Sequence, residues 1–246
     1  MGEKEIRGFP GGVHPTDGQD KSLTAGKLVK EYWPGSVTIL SEQSLNAKCS
    51  LMVKPGDQVL AGQLIGEPQS FTAAPLHASV SGIVREVKKI SSQDREILAC
   101  VIERTGEPEE KSFPHENEAA DISEYSEDVI IEGLLTGGLI GMGGAGFPVH
   151  KKYETEKRID TILINGAECE LFLTCDCRVM VEQGYGVING TRLMLKASGA
   201  DQAYICIEDN KPDAIKNLQK ILEEMKSQGY FEKEKPVQVQ VLPTKY

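Results

Sequence analysis

Thr161-Ile162-Leu163-Ile164-Asn165-Gly166-Ala167-Glu168-Cys169-Glu170 sets a short apolar run directly before an amide, a glycine and two carboxylates. An unbroken run of that length reads as a buried parallel strand, and the polar residues after it as the loop at its carboxyl end. Ala203-Tyr204-Ile205-Cys206-Ile207 reads as a second strand, and the alternating Val237-Gln238-Val239-Gln240-Val241 as a third. Between the first two lies a helical stretch from about Asp176 to Lys196, interrupted by Gly184, Gly186 and Gly190. From Pro212 to Lys226, Ile215, Leu218, Ile221, Leu222 and Met225 fall on one helical face. Strand, helix, strand, helix, strand predicts an α/β domain with a largely parallel sheet. Ligands of such sheets sit beyond the carboxyl ends of the strands, so Asn165 to Glu170 and Glu208 to Lys211 share a functional edge.

Working outward, Ser126 is placed to cap a helix carrying Val129, Ile130, Leu134 and Leu135 and ending at Gly137-Gly138. Residues 103–126 are rich in Glu, Pro, Ser and Asn, the composition of a solvated connector. Before it, short apolar pairs alternate with turn residues, as in Leu51-Met52-Val53, Lys54-Pro55-Gly56-Asp57, Val59-Leu60 and Leu64-Ile65-Gly66. Such spacing predicts a small β module. The expected organisation is an N-terminal segment (1–36), an all-β module (37–105), a linker (106–125) and an α/β domain (126–246).

The composition narrows the function classes. A formal net charge of −10 over 246 residues repels phosphate backbones and gives no general attraction to anionic lipid. Nucleic acid is therefore not expected as a partner. The charged start Met1-Gly2-Glu3-Lys4-Glu5-Ile6-Arg7 is followed by no apolar signal core, and no stretch approaches the ~20 apolar residues of a membrane span. A cytoplasmic location without direct membrane insertion is expected. The six cysteines, Cys49, Cys100, Cys169, Cys175, Cys177 and Cys206, are expected to remain thiols, and they contain no C-x2-C-x2-C run for a tetranuclear iron–sulfur cluster.

Five glycines between Gly138 and Gly146 leave backbone N–H groups open to an anion or a flat ring, although a bland turn has the same composition. Lys151 and Lys152 follow soon after and could neutralise a phosphate. In the Asn165–Glu170 loop, carboxylates can accept ribose hydroxyls and an amide can bond a flavin ring edge. Cys169, Cys175 and Cys177 are spaced C-x5-C-x-C, with His150 and Asp176 nearby in sequence, a pattern that matches no common structural zinc site. No metal site is expected. His14, His77 and His115 have no partners in sequence.

The Val-Lys-Pro-Gly-Asp-Gln-Val pattern from Val53 and the Ala-Ser-Val-Ser-Gly-Ile-Val stretch from Ala78 resemble biotinyl/lipoyl-like barrel-sandwich domains, but Glu67 to Ala73 holds no carrier lysine. Gly141 to Pro148, Ile164 to Glu170 and Ile207 to Lys211, with Gly11 to Pro15 and Ala74 to Gly82, together resemble RnfC, the NADH-side subunit of the membrane-bound Rnf complex. That family is related to the NADH-oxidising flavoprotein subunit of respiratory complex I. The resemblance implies a Rossmann-like domain that binds FMN and NADH. It implies that Gly141, Gly143, Gly144, Ala145, Gly146 and Phe147, with Lys152, cradle FMN, and that Asn165 and Glu168 contact it. Glu170 would help seat NADH, and Glu208, Asp209 and Asn210 would line the pocket.

The implied activity is NADH oxidation by bound FMN, with electrons passed to iron–sulfur clusters or to partner subunits that hold the chain at the membrane. Leu171, Cys175 and Cys177 depart from the family pattern and suggest a branch such as the proline-reductase-associated electron-transfer protein. A cobalamin-reductase-type subunit and a non-catalytic docking scaffold are the alternatives. RnfC-like proteins continue past the point where this chain ends, so it is read as a fragment, with 4Fe-4S clusters expected only in the full-length protein.

Overall fold

The computed structural model describes residues 21–28, 32–44, 47–92, 95–106, 118–142, 146–170, 172–231 and 234–244. Gly11 to Pro15, Gly143, Gly144, Ala145, His14, His115 and Leu171 lie outside the described residues. The chain divides into two compact units, one formed from 31–111 and 125–157, the other from 1–30, 112–124 and 158–246. In the second unit, the first described element is a single helical turn, α1 (Ser22–Ala25).

The all-β module forms as expected, as two four-stranded antiparallel sheets. The first contains β1 (Ser36–Leu40), β4 (Gln58–Val59), β7 (Gly82–Ser92) and β8 (Arg95–Arg104), in the order β1-β8-β7-β4. The second contains β2 (Glu42–Ser44), β3 (Ala47–Leu51), β5 (Leu64–Pro68) and β6 (Leu76–His77), in the order β2-β3-β5-β6. Inward-facing residues of both sheets, among them Ile39, Cys49, Ile65, Leu76, Val84 and Ile102, fuse into one apolar core. The Lys54-Pro55-Gly56-Asp57 turn closes with Asp57 N–H donating to the Lys54 carbonyl at 3.1 Å. Gly56 takes φ +95° there, as the third position of such a turn requires.

Helix α2 (Glu127–Thr136) starts where expected, and Ser126 Oγ accepts from Val129 N–H at 3.3 Å. It and the 3-10 turn Val149–Tyr153 pack within the same compact unit as the sandwich, whereas the expected 126–246 block groups them with the α/β domain. One contact within this unit sets Lys151 Nζ 4.0 Å from the centre of the Phe71 ring, on the loop after β5.

In the second unit, β9 (Thr161–Asn165), β10 (Gln202–Glu208) and β11 (Val237–Leu242) form a parallel sheet with β10 in the middle. Ala203, Ile205 and Ile207 are completely buried beneath the helices. The expected helix from 176 to 196 is instead two, α3 (Cys175–Glu182) and α4 (Gly184–Ser198). The break has a packing cause. A Cβ on Gly184 would fall 2.6 Å from Asn217 Nδ2 and Ile221 Cδ1 of α5 (Pro212–Ser227). Asn217 Nδ2 also donates to the carbonyls of Met180 and Val181 at 2.9 and 3.2 Å, satisfying the end of α3. Helix α5 buries Ala214, Leu218, Ile221 and Met225, the stripe its sequence prescribes.

The end of the expected solvated linker is likewise held down. Ala120 and Ile122 are buried. Asn189 Oδ1 accepts from Ala120 N–H at 3.1 Å, and Arg192 donates to the Ala120 carbonyl at 2.8 Å. No helix among the described residues is long and apolar enough to cross a membrane.

Candidate functional site

The carboxyl edge of the parallel sheet gathers polar side chains from three chain segments of the α/β unit. Asn165 ends β9, and its Oδ1 accepts from Ala167 N–H at 3.1 Å, turning the chain sharply. Gly166 N–H donates to the Cys206 carbonyl at 2.8 Å, which pins the turn to β10. The next residues lead into Glu168, whose side chain is only 3% exposed. Glu168 Oε1 accepts from Asp176 N–H at 2.9 Å and from the Cys175 thiol at 3.2 Å, at the start of α3. A carboxylate at a helix N-terminus is favoured by the exposed N–H groups and the helix dipole. Glu168 Oε2 is buried without a hydrogen-bond partner among the described residues, with Lys21 Nζ 4.0 Å away.

The loop after β10 is organised by a buried lysine. Lys211 Nζ donates to Glu208 Oε2 at 2.5 Å, to Asn210 Oδ1 at 2.9 Å and to the Glu168 carbonyl at 3.2 Å. Lys21 Nζ donates to that same carbonyl. The cation therefore ties the end of β10 to the loop after β9, while pairing a carboxylate that is itself 6% exposed. Such a pair survives burial only because its remaining hydrogen bonds are met. Asp209 is turned to the third segment: its Oδ1 accepts from Thr244 Oγ1 at 2.6 Å and from Thr244 N–H at 3.1 Å. These hydrogen bonds hold the Asp209 carboxyl below the usual carboxylate range.

Asn165, Glu168, Glu170, Glu208, Asp209 and Asn210 are thus brought to one edge, with Asn165 and Glu170 exposed and Glu168 and Glu208 buried. Lys21 and Lys211 are the organising residues that the sequence pattern did not assign to the site. Lys211 stood at the end of the Ile207–Lys211 motif, whereas Lys21 carries no local signal. The hydrogen bond that the Cys175 thiol donates to Glu168 raises its pKa and keeps it protonated, and burial does the same for Cys177 and Cys206.

The glycine-rich loop and Lys152 belong to the unit of the sandwich. Gly141 N–H donates to the Phe147 carbonyl at 2.9 Å and Gly146 N–H to the Gly141 carbonyl at 3.2 Å, with a bridge between Ile140 and Pro148. Those two N–H groups close the loop on itself and are not free for an anion. Phe147 is half-buried and Lys152 exposed.

Residues 7–107 match the RnfC barrel sandwich hybrid domain, and residues 135–246 match the Nuo51 FMN-binding domain. This is an RnfC-family chain. It is 36% identical over 226 residues to the C subunit of the Na(+)-translocating ferredoxin:NAD(+) oxidoreductase complex of Acetobacterium woodii, covering 87% of this chain and 48% of that one. It is 37% identical over 246 residues to the C subunit of the proton-translocating ferredoxin:NAD(+) oxidoreductase complex of Clostridium ljungdahlii, covering 98% of this chain and 50% of that one. With the C subunit of the ion-translocating oxidoreductase complex of Pasteurella multocida it shares 31% identity over 243 residues, 97% of this chain and 27% of that one. The RnfC-family chain therefore spans half or less of the length of these relatives.

Proposed function

We propose that this chain binds FMN and NADH and forms the NADH-oxidising part of an electron-transfer subunit. Electrons would leave it for iron–sulfur clusters or partner subunits of an ion-translocating oxidoreductase complex. The observation that carries this proposal is the presence, in one chain, of an RnfC barrel sandwich and a Nuo51 FMN-binding domain. The relatives described above are C subunits of complexes named for ferredoxin, NAD(+) and a translocated ion.

The residues suit FMN in kind. In the α/β unit, Asn165 and Glu170 stand exposed at the sheet edge, an amide for the flavin ring and a carboxylate for the ribose hydroxyls of NADH. Glu208, Asn210 and the Glu168 carbonyl are fixed in place by Lys211, so the edge presents one arrangement rather than several. When bound, FMN supplies hydride acceptance from NADH and one-electron release, while the protein supplies orientation and charge.

Equilibrium titration with FMN, followed by flavin fluorescence, tests the proposal on the whole chain. Asn165→Ala is expected to weaken FMN binding roughly tenfold, about the worth of one hydrogen bond in a site. Glu170→Gln is expected to weaken NADH and leave FMN in place. A chain that retains no FMN would defeat the proposal and favour the docking-scaffold alternative.

A further inference from the structure

We propose that Glu168, Cys175 and Asp176 form a binding site for a divalent, thiophilic transition-metal ion of the zinc class. One ligand atom from each lies within 4.8 Å of the other two. Cys175 Sγ is 3.2 Å from Glu168 Oε1 and 3.9 Å from Asp176 Oδ1. Zinc held at about 2.3 Å by sulfur and about 2.0 Å by oxygen, at tetrahedral angles, needs sulfur and oxygen roughly 3.5 Å apart. The two sulfur–oxygen separations therefore already stand near what coordination demands.

The burial of Glu168 adds an observation beyond the spacing of the three residues. The Glu168 side chain is 3% exposed, and its Oε2 has no hydrogen-bond donor among the described residues. A buried carboxylate oxygen left without a donor is costly. Its sister Oε1 already faces Cys175 and Asp176. Lys21 Nζ lies 4.0 Å from Oε2, beyond hydrogen-bonding reach, and Lys211 is paired with Glu208. Two carboxylates, joined by the thiolate that Cys175 becomes once its proton is displaced, outweigh the single charge of Lys21, which leaves room for a divalent ion.

The chemistry of the set selects among ions. A thiolate ligand favours zinc, cadmium or cobalt over magnesium or calcium. Cys175 and Asp176 are exposed, so an ion can enter from solvent, and three protein ligands leave a fourth position for water. Binding breaks the Cys175 S–H bond, forms the sulfur–metal bond and releases the proton to solvent; no electron moves.

The site goes beyond the flavin proposal and shares Glu168 with it, so the two need separate readouts. Cadmium(II) alone is titrated into the metal-free whole chain, following the ultraviolet cadmium–thiolate charge-transfer band and the protons released. The expected result is one ion and one proton per chain, with the band retained in Cys169→Ser and Cys177→Ser. The band should disappear in Cys175→Ser, and Asp176→Asn should weaken affinity roughly tenfold or more. Both altered residues are exposed, and circular dichroism checks that the fold is kept. No band in the parent chain, a band surviving in Cys175→Ser, or equal loss in Cys169→Ser would each overturn the site. Loss of FMN binding with the band intact would count against the flavin proposal alone.

Discussion

The two units of this RnfC-family chain solve burial in opposite ways. The sandwich is sealed by an apolar cluster in which Ile65, Val84, Cys100 and Ile102 are completely buried. Its one buried basic side chain among the described residues is His150, which burial pushes toward the neutral form. Its Glu42 carboxylate, although tucked away, has Lys48 and Arg95 within 4.0 Å. The α/β unit instead buries Glu168, Arg192, Glu208 and Lys211. Arg192 joins α4 to Glu234 by two hydrogen bonds of 2.7 and 2.6 Å. Buried charge is expensive and tolerates little displacement, so Glu168, Glu208 and Lys211 hold the sheet edge in a fixed geometry, as the proposed binding role needs.

Removing a partner from that edge should have the largest effect. Lys211→Met leaves the buried Glu208 carboxylate without its paired cation and should destabilise the α/β unit by roughly 4 kcal/mol, the usual cost of an orphaned buried charge. Denaturant unfolding gives the stability, and FMN titration under native conditions should show weaker binding. An Ile65→Ala exchange in the sandwich should cost roughly 3 kcal/mol through its cavity and lost burial. Unlike Lys211→Met, it should leave FMN affinity unchanged below the unfolding temperature. Equal flavin losses in the two variants would erase the contrast.

Smaller changes sharpen the comparison. Ser126→Ala removes the cap of α2 and should cost about 1 kcal/mol without affecting the sheet edge. The smallest expected effect is electrostatic. The depressed Asp209 pKa contributes stability that is present above its unfolded value and is lost as pH falls through the folded one. Thr244→Val removes the strongest donor, so the Asp209 carboxyl should titrate at higher pH by NMR. An unmoved titration would contradict the hydrogen-bond assignment.

What could be read from the residues follows local physics. The strands ending at Asn165 and Glu208 were legible as short apolar runs before polar loops, and the α5 stripe because burial imposes a period of 3.6 on a helix. The Lys54–Asp57 turn was legible because proline and glycine fix its dihedrals. The break before Gly184 was not, since its cause is Asn217 and Ile221 on another helix. Nor was the attachment of residues 125–157 to the sandwich, where Lys151 meets Phe71. At the candidate site, Asn165 to Glu170 could be picked out as a loop at a strand end. The buried cation network could not, because Lys21 lies 147 positions from Glu168. The Glu168, Cys175 and Asp176 cluster is local in sequence, but cysteine spacing alone leaves out the Glu168 carboxylate seven positions before Cys175.

The most direct test of the central claim is anaerobic addition of NADH to the FMN-loaded chain, with flavin absorbance recorded during the addition. The proposal predicts bleaching of bound flavin at one NADH per FMN, slowed in Glu170→Gln. Flavin that stays bound but oxidised with NADH in excess would contradict it.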